Sequence, residues 1–244
     1  MARSARKERE IQDREGNILK ICRQILLQDG YSGLSMDRIA DEMGYSKGTI
    51  YLHFKSKEDV LAAVAVQTHR RRIEFFEKAA TFKGKPRERL LAISVALDLF
   101  LRLFPAHFRA EQIILLTGDP DQLEGERLRQ CYQHENRCLE IVSGIVRDGI
   151  ASGDLELPEH LDLETLTFGM WSVSFGAHYI GKTLGRFKDL QIERGIYSAL
   201  SSALRAYLDG ANFQPFTKDW DYEATEERVR SEIFAEESIL AQGL

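Results

Sequence analysis

Residues 30–60 read Gly30-Tyr-Ser-Gly-Leu-Ser35-Met-Asp-Arg-Ile-Ala40-Asp-Glu-Met-Gly-Tyr45-Ser-Lys-Gly-Thr-Ile50-Tyr-Leu-His-Phe-Lys55-Ser-Lys-Glu-Asp-Val60. Ser35 can cap a helix whose apolar residues Met36, Ile39, Ala40 and Met43 share one face. Gly44 stops it, and after the connection Met43-Gly44-Tyr45 the hydroxyl of Ser46 can cap a second helix. There Ile50 and Phe54 point inward, and Lys47, Thr49, Tyr51 and His53 are left outside. Two short helices about a glycine turn, the second with polar residues at its start, form the helix-turn-helix pattern.

The chemistry suits a phosphate-bearing partner. The start of the second helix offers unpaired N–H groups beside Lys47, Gly48 and Thr49, and Gly48 lets a DNA strand approach the backbone. Tyr51 and His53 can reach phosphate oxygens from the flank, and a further helix begins at Ser56 with Lys57 on its first turn. The plainer alternative is a helical hairpin with a solvated polar face, which leaves the glycine inside the second helix, at a cost of about 0.5–1 kcal/mol, without a reason.

The run Ser46-Lys47-Gly48-Thr49-Ile50-Tyr51-Leu52-His53-Phe54, followed by Ser56-Lys57-Glu58, resembles the signature of TetR-type bacterial transcriptional regulators. The likeness covers residues 14–65, and the rest agrees only as a long all-helical pattern. Tyr45 departs from it, standing where the family usually has a small aliphatic residue. Its larger side chain either alters the turn or adds a phosphate contact.

The resemblance implies an all-α fold, with an N-terminal three-helix helix-turn-helix DNA-binding domain (residues 1–58) and a larger helical effector-binding and dimerisation domain (residues 59–244). It also implies a homodimer on a near-palindromic operator, released by a small-molecule effector. DNA contact then falls to Ser35, Tyr45, Ser46, Lys47, Gly48, Thr49, Tyr51, His53 and Lys57. An architectural DNA binder of the same fold, without an effector, is the competing reading.

The 244 residues are 43% hydrophobic, enough to bury about 70–75% of the unfolded surface. Three cysteines, Cys22, Cys131 and Cys138, and no export signal suggest a reducing cytoplasm, and no apolar run approaches the roughly 20 residues that span a bilayer. The net charge of −5 is unevenly spread: residues 1–58 hold 11 basic against 9 acidic groups, and the remainder 22 against 29. The reader is locally positive on an acidic body, which favours DNA over indiscriminate contact. No phosphate-cradling glycine loop, Gly-x-Ser-x-Gly or His-Glu-x-x-His pattern suggests an enzyme, and no cofactor is indicated.

Outward from the motif, the basic tip Arg3, Arg6, Lys7 and Arg9 reads equally as an arm along a DNA groove or as a disordered tail. A helix over 9–29 backs the motif, with Cys22 in its core face. The fourth helix, 56–80, joins reader to body, and its Thr68-His69-Arg70-Arg71-Arg72 cluster reads as a solvated face or a second phosphate site.

Pro86 opens an almost wholly apolar helix, 87–104, and helices are expected at 105–116, 122–151, 160–183, 190–209 and 224–240. Thr117 to Asp121 reads as a turn and Gly185 to Lys188 as a break. Leu139, Val142, Val146 and Ile150 form one expected stripe, and Val229, Ile233 and Leu240 another. Cys131, His134 and Cys138 share a face; core packing is preferred there to a metal or redox site, and no metal site is assigned. Gly169 and Gly176 predict close helix packing. An effector pocket is expected from Phe100, Phe104, Phe108, Trp171, Phe175, His178 and Tyr179, with dimer core as the alternative.

Overall fold

Ile18, Cys22, Ile25 and Leu26 recur at helical spacing and are all buried, and the helix that carries them, α1, runs from Ala2 to Asp29. The computed structural model describes residues 2–117, 126–181 and 195–243, so the expected turn beyond Thr117 and the break at Gly185 lie outside the described residues. The basic tip is not a disordered tail, because it continues α1. Its residues are good helix formers, and Arg6 pairs with Glu10 one turn on at 3.0 Å.

Then come α2 (Met36–Met43), α3 (Lys47–Tyr51), α4 (Lys57–Ala80), α5 (Pro86–Leu103), α6 (Pro105–Thr117), α7 (Glu126–Ser152), α8 (Leu163–Gly181), α9 (Gly195–Gly210), a 3-10 turn (Thr217–Asp219), α10 (Tyr222–Glu232) and α11 (Ala235–Gln242). Among the described residues there is no strand, only an isolated bridge between Leu155 and Phe213. No single described helix is long and apolar enough to cross a membrane.

The chain folds as two compact units. One comprises Met1–Ile73 with Phe104–Asn136, the other Glu74–Leu103 with Arg137–Leu244. In the first, α1 packs on α2 and α6 around a core that includes Ile18, Cys22, Leu26, Ile39, Ile50, Phe54, Val60 and Val64. Burial pushes the Cys22 thiol up to about 12, as befits a core residue.

The basic cluster of α4 is not a simple solvated face. Thr68 and His69 lie one turn after the buried Val64 and Ala65 and are buried with them, and Thr68 Oγ1 donates to the Val64 carbonyl at 2.9 Å.

In the second unit α5 is buried on most sides, as its composition predicts, yet it also buries Arg87, Glu88 and Asp98. Arg87 Nη1 donates to Asp209 Oδ1 at 2.7 Å, to the Pro215 carbonyl at 2.8 Å and to the Phe213 carbonyl, and its Nη2 donates to the Arg205 carbonyl at 2.9 Å. One guanidinium thus holds the segment after α9 against α5. The buried charge is stabilised through Nη1 and Nη2, while Nε has no hydrogen-bond partner. Glu88 accepts from the Lys85 N–H at 2.9 Å and from Thr225 Oγ1 at 3.1 Å.

Several expectations are corrected here. The last helix is two: the chain breaks at Ile233 and Phe234 because Phe234 turns inward, fully buried, to stack on Phe75 at 5.8 Å. Leu240 is accordingly exposed. On α7 the buried residues include Cys131, Cys138, Ile145, Val146 and Gly149, while Leu139 and Ile150 are exposed. Gly169 faces Tyr207 of α9 so closely that a Cβ would meet its ring, as the close-packing expectation requires, whereas Gly176 opens onto free space.

Candidate nucleic-acid interface

The motif is assembled by local hydrogen bonds. Ser35 Oγ accepts from the Arg38 N–H at 3.1 Å and starts α2. Gly44 ends it in the left-handed region at φ 64°, with the Tyr45 N–H returning to the Ala40 carbonyl at 2.9 Å. Ser46 Oγ then accepts from the Thr49 N–H at 3.2 Å and lies 2.8 Å from Thr49 Oγ1. Helix α3 stops at Tyr51, short of the expected Phe54: the His53 N–H bonds the Ile50 carbonyl three residues back, which tightens the last turn, and the Phe54 ring is buried.

Tyr45, Ser46, Lys47, Gly48 and Tyr51 lie together on the surface, with Thr49 half-buried among them and Ile50 as the buried anchor. Lys47 Nζ is 2.6 Å from Asp37 Oδ1, which raises the lysine's pKa through their hydrogen bond; both groups are well exposed, so the pair opens readily to a phosphate. The Arg14 guanidinium sits 5.9 Å from the centre of the Tyr45 ring. A Cβ on Gly48 would have the Ser46 hydroxyl at 3.9 Å as its nearest neighbour. The fold therefore does not require a glycine at 48.

Two expected contacts are redirected. His53 is not outside: its side chain is only 7% exposed, and Nδ1 lies 3.4 Å from Glu15 Oε1 on α1, because ending α3 at Tyr51 rotates residue 53 toward that helix. Lys57 bends back, donating to the Tyr31 carbonyl at 2.8 Å and lying 3.5 Å above the Tyr31 ring, and burial lowers its pKa. Both hold the frame of the motif in this structure.

The residues expected to line an effector pocket fall in both units. Phe100 is fully buried in the second unit and meets Phe75 edge-on at 6.0 Å, whereas Phe104 and Phe108 belong to the first unit, with Arg71 4.5 Å over the Phe104 ring. On α8, Phe168, Trp171, Phe175 and Tyr179 form a ladder with ring centres 6.1–6.4 Å apart. Trp171 is 51% exposed, and His178 is tied to its own helix, Nδ1 lying 2.6 Å from the Ser174 carbonyl. Cys131 and Cys138 are buried core residues, and burial pushes the Cys131 thiol up to about 12.

Residues 18–64 match the model of bacterial regulatory proteins of the tetR family. The fatty acid metabolism regulator protein of Bacillus subtilis is 31% identical over 159 residues, covering 60% of this chain and 72% of the relative. The chain belongs to the tetR family. A solved TetR/AcrR-family regulator from Thermobifida fusca is similar to this TetR-family protein at 28% identity, with a TM-score of 0.58 over 81% of this chain and 98% of that one. FadR of Bacillus subtilis, solved with stearoyl-CoA, shares the fold at 24% identity, TM-score 0.58, over 80% and 97%.

This TetR-family chain is a DNA-binding transcriptional regulator. One residue of the helix-turn-helix face escaped the sequence reading. Leu52 caps α3 with 84% of its surface exposed, beside Tyr51. The signal was present: two residues past Ile50 it falls off the inward Ile50–Phe54 side, and an apolar side chain there suits a thymine methyl group.

Proposed function

We propose that the protein is a homodimeric, cytoplasmic repressor that leaves a near-palindromic operator when a small-molecule effector binds its larger domain. It acts by binding and not by turnover. The observation that carries this reading is the continuous exposed face from Tyr45 to Leu52, with a glycine at 48 that the fold does not need. In this reading residues 1–58 are the DNA-binding domain and 59–244 the effector and dimerisation domain. Lys47, Gly48, Thr49 and Leu52 meet base edges and the strand. Ser35, Tyr45, Ser46 and Tyr51 hold phosphates, and His53 and Lys57 fix the helix that presents them.

Dimerisation is supported by the half-exposed aromatic ladder of α8, a patch that a second copy would cover. Two copies then set their α3 helices about 34–36 Å apart, one turn of DNA. The named role of the Bacillus relative in fatty acid metabolism supports an acyl chain as effector, lodged among aromatic side chains of the larger domain.

Selection of bound duplexes from a random pool by the purified protein at two salt concentrations tests the reading. An enriched inverted repeat supports it, whereas salt-sensitive binding without enrichment replaces it with the architectural alternative. On the selected operator, long-chain acyl-CoA is expected to raise thermal stability and weaken DNA binding together. A ligand series in which no member does both refutes effector release.

A further inference from the structure

His69 on α4, Glu111 on α6 and Glu135 on α7 meet inside the first unit. His69 Nε2 is 2.9 Å from Glu111 Oε1 and 3.8 Å from Glu135 Oε1, and one ligand atom from each of the three lies within 4.8 Å of the others. Ligand atoms about 2.1 Å from a common ion stand roughly 3–3.5 Å apart, so these separations bracket the requirement. His69 and Glu111 are buried and Glu135 is half-buried, which leaves one side of the cluster open to entry.

Two observations independent of that proximity point to a cation. Glu111 Oε2 is buried with no hydrogen-bond partner, on a side chain only 5% exposed. A carboxylate oxygen left so is costly unless something positive reaches it. The other is the orientation of the imidazole. His69 Nδ1 lies 3.4 Å from the Cys131 carbonyl oxygen, which can only accept. Ion binding would leave Nδ1–H on that carbonyl and set the Nε2 lone pair on the ion, displacing the proton through which Nε2 bonds Glu111 Oε1 at 2.9 Å. A ring N–H resting on a backbone carbonyl is how metal-binding histidines are commonly oriented.

We propose that His69 Nε2, Glu111 and Glu135 bind one divalent first-row transition-metal ion, with water completing its coordination. Arg72 Nη1 and His69 Nε2 share Glu111 Oε1, at 2.6 and 2.9 Å, and Oε2 of the same carboxylate has no partner, so the group has an oxygen to spare for an ion. Two carboxylates against one guanidinium keep the cluster attractive to a cation. One imidazole with two carboxylates selects ions such as Zn²⁺ or Mn²⁺ over Mg²⁺, which seldom takes nitrogen, and over soft ions that want thiolate. The Cys131 thiol is no competing ligand, because its Sγ faces the Ala62 carbonyl at 3.8 Å. The ion ties together α4, α6 and α7, and α4 is the helix that starts at Lys57 directly behind the recognition segment.

The test is calorimetric titration of the full-length, chelator-stripped protein with Zn²⁺ and separately with Mn²⁺, with thermal unfolding followed in parallel. One ion per chain and a raised unfolding midpoint are expected for at least one of the two metals. Glu135→Gln keeps the packing of a half-buried side chain and is expected to weaken binding at least about tenfold, with Glu111→Gln doing the same. Absence of saturable binding of both metals, or native affinity in the two variants, overturns the site. Neither result bears on operator selection.

Discussion

Between Ser35 and Phe54 the caps and backbone hydrogen bonds that shape the chain span three to five positions, whereas Arg87 and Glu88 hold Arg205 to Thr225 from 118 to 137 positions away. The first region is a surface with its structure spelled locally; the second is a cover clamped by one buried guanidinium. Their glycines differ in the same way. Gly48 has open space above it, and a Cβ on Gly149 would lie 2.6 Å from the fully buried Phe213 ring. Structure held locally can face outward and exchange partners, while structure held from a distance must stay closed.

The sharpest break of this contrast is Arg87→Met, which strips the donor from Asp209 and from the carbonyls of Arg205, Phe213 and Pro215. Urea unfolding is expected to show a loss of about 3–5 kcal/mol. A loss under about 1 kcal/mol would mean that apolar contact alone holds the cover. Gly149→Ala comes next, at about 1–3 kcal/mol, because the Phe213 ring has nowhere to move.

Gly48→Ala reverses the sign. It is expected to raise stability by up to about 1 kcal/mol while lowering operator affinity on the order of tenfold, read by calorimetric melting and by DNA titration. If affinity is unchanged, no strand approaches Gly48. The smallest effect on the fold is expected from Lys47→Ala, which leaves the unfolding midpoint in place, since the pair with Asp37 is exposed. In DNA titrations it should lower the salt slope by about one unit if the lysine meets a phosphate.

The helix-turn-helix was legible because each of its signals acts within a few residues: the Ser35 and Ser46 caps, the left-handed Gly44, the inward Ile50 and Phe54. His53 and Lys57 were placed outside by periodicity, and both turned inward once α3 ended at Tyr51, a choice made by packing against α1 and Tyr31. Leu52 could have been found by asking which apolar residue the inward face leaves over.

The residue pattern alone determined the helical class, most helix positions and the DNA-reading segment, because capping, turn chemistry and the 3.6-residue period are local. Tertiary structure alone decided that Arg87 is a buried clamp, that Phe234 splits the last helix, that residues 104–136 join the reader's unit, and that His69, Glu111 and Glu135 meet. Those outcomes depend on which distant residue supplies a hydrogen-bond partner or a vacant volume, and spacing along the chain does not encode that.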